Sequence, residues 1–154
     1  MTIVEKIERL KEARTVLDRT YVKWYQDNGA GGHCAIGSVG YVAQKRLTTR
    51  NNTDPEIIAA REVVELLNVM ARILYPQYSG RVEKRAIPTI EYGDDSFNIG
   101  PVVFLNNHVG KEAVLAVFDA TILDLEIREE AKKEKDLLSG GGRHVEEERA
   151  EVLS

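Results

Sequence analysis

The sequence predicts a mainly α protein: four to five helices around a central hydrophobic helix at 55–75, with a small hairpin or irregular lobe at 76–105. Three observations predict it. Apolar residues recur every three or four positions over residues 2–19 and again from Val114 to Leu125, the period of a helix with one buried face. Helix starts are marked by Thr2 and by the pair Asp54-Pro55. Three of the four prolines and three glycines fall within 76–101, where regular structure is interrupted.

The elements follow in order. Residues 2–19 place Ile3, Ile7, Leu10, Ala13 and Leu17 on one face, and Thr2 with Glu5 fits a capping box. Asn28-Gly29 and Gly31-Gly32 break the chain, because glycine tolerates positive φ. A second helix then runs from about Cys34 to Leu47, where Cys34, Gly37, Ser38 and Tyr41 share a stripe. Glycine inside a helix costs about 1 kcal/mol relative to alanine, so the two glycines of "CAIGSVGYVA" point to a close helix crossing. Lys45 and Arg46 sit where the helix dipole favours cations.

The helix at 55–75 is apolar on most of its circumference, with Arg61, Glu62, Glu65, Asn68 and Arg72 as its polar stripe. Pro76 ends it. "AIPTIEYGDDSFNIG" reads as a short hairpin turning at Gly93-Asp94-Asp95, and "PVVFL" (101–105) as a strand or extended segment. A last long helix opens near Val109, with Asn106 or Asn107 as its cap. It continues as a solvated stretch, "REEAKKEKD". Residues 1–126 thus form one globular helical domain, and 127–154 a charged helical extension and flexible tail, broken at "SGGGR" and closed by a short helix.

Composition narrows the function. The 154 residues are 43% hydrophobic, enough for a buried core, and carry a formal charge of −4. That balance argues against a general nucleic-acid binder, which shows a basic footprint. Arg81, Lys84, Arg85, Lys45 and Arg46 read as solvated surface among interleaved acids. A single cysteine forms no internal disulfide. The charged first twenty residues are neither a secretory nor a transit segment, and no run is apolar enough to span a bilayer. A soluble cytoplasmic protein is the expectation. No phosphate-binding glycine loop is present. His33, His108 and His144 show no zinc spacing with each other or with Cys34, and Asp94-Asp95 lacks the spaced ligands of a calcium loop. Neither a metal nor a cofactor is expected.

Two clusters could carry chemistry. Cys34 stands at a helix start, where the dipole stabilises a thiolate. A catalytic reading makes Cys34 the nucleophile, His108 the base and Asn106 its orienter, since the adjacent His33 does not face Cys34 on a helix. The plainer reading is a small buried thiol on a packed face. The stretch "FLNNHVG" either caps the last helix or projects Asn106, Asn107 and His108 into a pocket. Trp24, Cys34, Asn106, Asn107 and His108 are therefore the candidate ligand-binding set.

The order of Trp24, "CAIGSVGYVA", a long apolar helix and "VVFLNNHVGKEAVLAVFDATI" resembles an uncharacterised family of small proteins from actinobacteria and their phages. That family carries a Cys-x-x-Gly-Ala-like motif at a helix start. It also carries Asn-Asp before a helix reading roughly Glu-Val-Leu-x-x-Phe-Asp-x-Ala-Ile. The matching residues are Trp24, Cys34, Gly37, Asn106, Val114, Leu115, Phe118, Asp119 and Ile122, within residues 1–126. Asn107 stands where the family has Asp, and Ser38 follows Gly37 in place of Ala. The missing carboxylate weakens a shared catalytic-acid role and hardly affects a capping one. The resemblance implies a phage-encoded or actinobacterial accessory protein and no particular reaction. The leading expectation is therefore a protein that binds a host protein or a small ligand. Its alternatives are a cysteine-dependent hydrolase or transferase using Cys34 with His108, and a homo-oligomer assembled through the carboxyl-terminal tail.

Overall fold

A computed structural model describes residues 1–23, 31–49, 51, 53–81 and 100–140. Five helices pack together: α1 (Ile3–Thr20), α2 (Ala35–Gln44), α3 (Pro55–Leu74), α4 (Pro101–His108) and α5 (Lys111–Lys135). A 3-10 turn at Pro76–Tyr78 follows α3, and a wide π turn at Asp136–Gly140 follows α5. No strand forms among the described residues, and the fold is mainly α, as the periodicity predicts.

Local chemistry starts two of the helices. Thr2 accepts from the Glu5 amide at 3.1 Å and caps α1. Asp54 caps α3 through the Glu56 amide at 2.9 Å, with Pro55 as the first helical residue. The same carboxylate accepts from the amides and hydroxyls of Thr48 and Thr49. These bonds, the one from the Glu56 amide foremost, hold Asp54 far below the usual carboxylate range.

Packing does the rest. α3 lies against each of the other four helices, the central place its apolar circumference predicts. α1 runs along α5 and α2. Leu10 and Leu17 of α1, Ile36 of α2, Leu67 of α3, Leu105 of α4 and Phe118 of α5 are fully buried in one core. Every residue from Ala35 to Gly40 is buried, so the first half of α2 is enclosed on all sides, and its small residues permit that. Arg9 is 9% exposed and pairs with Glu56, tying α1 to α3. Burial along α5 stops at Leu125, and every residue from Ala131 to Ser139 is exposed.

Two expectations are corrected. "PVVFL" is neither strand nor extended segment: it forms the first turns of α4. Pro101 supplies the fixed φ of a first helical turn, and the burial of Val102, Val103 and Leu105 outweighs the modest helix propensity of valine. The irregular lobe therefore shrinks at its far end, while the hairpin at 86–100 falls almost wholly outside the described residues. Asn106 and Asn107 do not cap α5, because they lie within α4. α5 starts instead after Gly110, whose φ of +133° turns the chain in a region that favours glycine, with no side-chain cap. The short helix expected at the carboxyl end, the "SGGGR" break beyond Gly140 and Trp24 also lie outside the described residues.

Candidate functional site around Asn106 and Cys34

Asn106 is 1% exposed and sits where α4 meets the start of α2. Its Oδ1 accepts from the Ala35 amide at 2.9 Å. Its Nδ2 donates to the Val22 carbonyl at 3.0 Å and to Asn107 Oδ1 at 3.3 Å. The Tyr21 hydroxyl donates to its backbone carbonyl. Asn106 thus caps α2 from another helix and ties α4 to the chain leaving α1.

Cys34 completes that cap. It is the N-cap residue, with extended backbone (φ −83°, ψ 179°), and its Sγ accepts from the Gly37 amide at 3.3 Å. The Ser38 hydroxyl donates to Ala35 O at 2.7 Å. Two of the four amides that a helix leaves unpaired at its start therefore find partners in Asn106 and Cys34. The thiol is 1% exposed, and an attacking thiolate needs access to its substrate. Burial pushes the Tyr21 phenol up, and the nearby Cys34 adds to it, so the hydroxyl stays protonated and donating.

His33 is fixed on the other side of Cys34. Its amide donates to Thr20 O at 2.8 Å, and its carbonyl accepts from the Val22 amide at 3.2 Å. The Thr20 hydroxyl donates its single hydrogen to Val16 O at 2.7 Å. Its oxygen must therefore accept from His33 Nδ1, 3.0 Å away, which assigns the neutral ring its Nδ1–H tautomer. Nε2 is buried without a hydrogen-bond partner among the described residues. The ring stands edge-on to Tyr41, with centroids 4.9 Å apart.

The predicted set is only partly brought together. Cys34, Asn106 and Asn107 converge at the buried start of α2. His108 does not share that environment: it is exposed, and its ring lies 4.7 Å from that of Phe104. Phe104 in turn meets Tyr78 at 5.3 Å and carries Arg81 over its face at 5.6 Å. Residues two apart on a helix do not share a face, so α4 presents Asn106 inward and His108 outward.

The sequence reading missed Gly100, Tyr21 and Thr20, and it set Asn68 on the polar stripe of α3, whereas Asn68 is 3% exposed. Asn68 Oδ1 accepts from the Val102 amide at 3.0 Å, so α4 is capped from α3 as α2 is capped from α4. The close approach requires Gly100: a Cβ there would lie 2.5 Å from the Asn68 amide. Phase could have revealed Asn68, because it falls one turn from Val64 and Ala71, both buried. A groove of about 290 Å³ lies elsewhere, between α1 and α3, beside Glu5, Arg9, Glu56 and Glu62. Cys34, Asn106, Asn107 and His108 do not border it. Among the described residues no group of three or more His, Cys, Asp or Glu side chains could hold a metal ion, and no helix is long and apolar enough to cross a membrane.

No family model matches the chain, and neither a curated protein nor a solved structure matches it.

Proposed function

We propose that the protein acts by binding, as a small cytoplasmic accessory protein of the phage or actinobacterial kind that the sequence motifs imply, and that it takes a protein partner or a small ligand. One observation carries this reading. α5 continues past its last buried residue, Leu125, and shows Leu123 (58% exposed) and Ile127 (60% exposed) to solvent. Apolar side chains grouped on an exposed helix mark an interaction surface better than scattered ones do. The polar atoms of Asn106 and the sulfur of Cys34, by contrast, are engaged in capping.

Native mass spectrometry of the full chain, purified from cells that express it, tests the reading. A retained partner chain or ligand is the expected result, kept in Cys34→Ala and lost in Ile127→Glu. A bare single chain from every preparation contradicts it.

A second reading, a hydrolase or transferase using Cys34, is favoured by the thiol's place at the amino end of α2, where the dipole supports a thiolate. It requires the sulfur to become accessible and His108 to reach it. Rapid alkylation of Cys34 in the native protein would support it.

A further inference from the structure

We propose that His33 is an acid-sensitive latch: a proton taken up by its imidazole releases the short bridge between the end of α1 and the start of α2 and uncovers the Cys34 sulfur.

The packing leaves no place for a second proton on the ring. His33 is 4% exposed. Its Nδ1–H donates to Thr20 Oγ1 at 3.0 Å, because the Thr20 hydrogen is committed to Val16 O. Nε2 is buried with no hydrogen-bond partner among the described residues. A proton placed there does two unfavourable things at once. It creates a buried donor without an acceptor, and it sets a cation away from water. An imidazole in water takes up the same proton near pH ~6.5. Below that pH the opened stretch therefore gains a proton that the closed one excludes, and acid shifts the balance toward opening.

The surrounding charges do not offset this. α2 contributes Cys34, Tyr41 and the Lys45 ammonium, which lies 4.9 Å over the Tyr41 ring. A charged His33 would thus meet an aromatic ring that already carries a cation. Glu12 of α1 is engaged by Lys45 at 3.1 Å and Arg46 at 2.8 Å. Asp18, in the last turn of α1, pairs with Lys111 at 3.1 Å, and Arg19 and Lys23 are exposed. Toward α4 the Tyr21 hydroxyl donates to the Asn106 carbonyl. No ion pair of the described residues includes His33.

The latch itself is small. Tyr21 and His33 form an isolated parallel bridge, made by the His33 amide on Thr20 O at 2.8 Å and the Val22 amide on His33 O at 3.2 Å. Beside it, Asn106 Nδ2 donates to the Val22 carbonyl at 3.0 Å. Local openings of so few bonds cost less than global unfolding. Cys34 follows His33 directly, so moving the bridge moves the residue whose Sγ caps the Gly37 amide. The body of α2 is held separately, through Ile36, Val39 and Val42 in the core. The helices can therefore stay in place while the bridge opens.

Thiol labelling of the full chain tests this, because Cys34 is its only cysteine. The probe is a dipyridyl disulfide, which reacts with thiols in mild acid. The rate in the native protein is divided by the rate in denaturant at the same pH, which removes the titration of the thiol itself. Asp54 titrates well below the window used. This ratio is expected to rise about tenfold from pH 7 to pH 5, while the helical circular dichroism signal holds. In His33→Phe, which carries no proton and leaves Thr20 its bond to Val16, the ratio is expected to stay flat. A flat ratio in the wild type overturns the proposal, as does a rise that survives in folded His33→Phe or one that accompanies loss of the helices. Ring resonances of His33 in the wild type decide the matter even if His33→Phe does not fold. A ring that stays neutral in the closed protein at pH 5.5 supports the latch, and a ring that charges with no change in labelling overturns it.

Discussion

The start of α2 and the end of α5 are opposite kinds of surface. At the start of α2 the side chains of Asn106 and Cys34 sit within 3.3 Å of their partners in a region closed to solvent. At the end of α5, apolar side chains and lysines stand in solvent on a helix that has outrun its core. Cys34, Asn106 and Asn107, which look chemically promising in sequence, belong to the closed region, and the stretch that looks like solvated filler is the open one. Burial, not residue type, separates a structural asparagine from a functional one.

The comparison breaks first at Asn106. Asn106→Leu leaves the buried Ala35 amide and the half-buried Val22 carbonyl unpaired, and a buried group left so costs about 1–3 kcal/mol. The expected loss is therefore about 2–5 kcal/mol, read as a shift in the denaturant midpoint. Asn106→Asp keeps the acceptor for Ala35 and loses the donor to Val22, so a smaller loss is expected. A change within experimental error in both variants would show that the cap is not built as described.

Gly100→Ala comes next. The added Cβ presses on Asn68, and overpacking of this kind costs about 1–3 kcal/mol. Asn68→Ala alone uncaps α4. The two changes together are expected to cost less than their sum, because removing the Asn68 amide also removes the clash. Additive costs measured in a double-mutant cycle would refute the contact.

How much of this was legible in the sequence depended on where each partner lies in the chain. Thr2 and Asp54 cap amides two or three residues away, so their roles could be read directly. Asn68 and Asn106 cap amides 34 and 71 residues away, and no local pattern joins such pairs. "PVVFL" misled for a related reason. Its valines favour an extended chain locally, and the features that make it helical are the Asn68 cap and the packing of α4 against α3 and α5. Asn106, one of the two asparagines expected to cap the helix that follows, caps α2 instead, and Asn107 meets the Asn106 side chain. The order and extent of α1, α3 and α5 were legible, because a long amphipathic period survives any choice of partner.

Cys34→Ala sharpens the contrast at lower cost. Loss of an N-cap acceptor is worth about 0.5–2 kcal/mol, and the variant is expected to stay folded and to keep its binding. Loss of binding in a folded Cys34→Ala protein would return the thiol to the functional site.

Asp54 gives a pH handle on the legible kind of cap. Its folded-state pKa lies below the unfolded value near ~3.9. The stability it contributes is therefore fully present above that value and is lost as the pH falls toward the folded pKa. The difference in Tm between wild type and Asp54→Asn is expected to be constant near neutrality and to shrink below about pH 4. A difference that grows on acidification would reverse the sign.

The smallest effect on stability is expected at Ile127. Ile127→Glu lies on exposed helix and should change stability by no more than about 0.5 kcal/mol. It should still abolish association.

The accessibility of Cys34 in the native full chain bears most directly on the division between a closed structural cluster and an open binding surface. Labelling with a thiol reagent is expected to be far slower than in denaturant, and to speed up in Asn106→Leu as the cap loosens. Labelling as fast in the native protein as in the unfolded chain would contradict the division, and would place a reactive thiol at the start of α2.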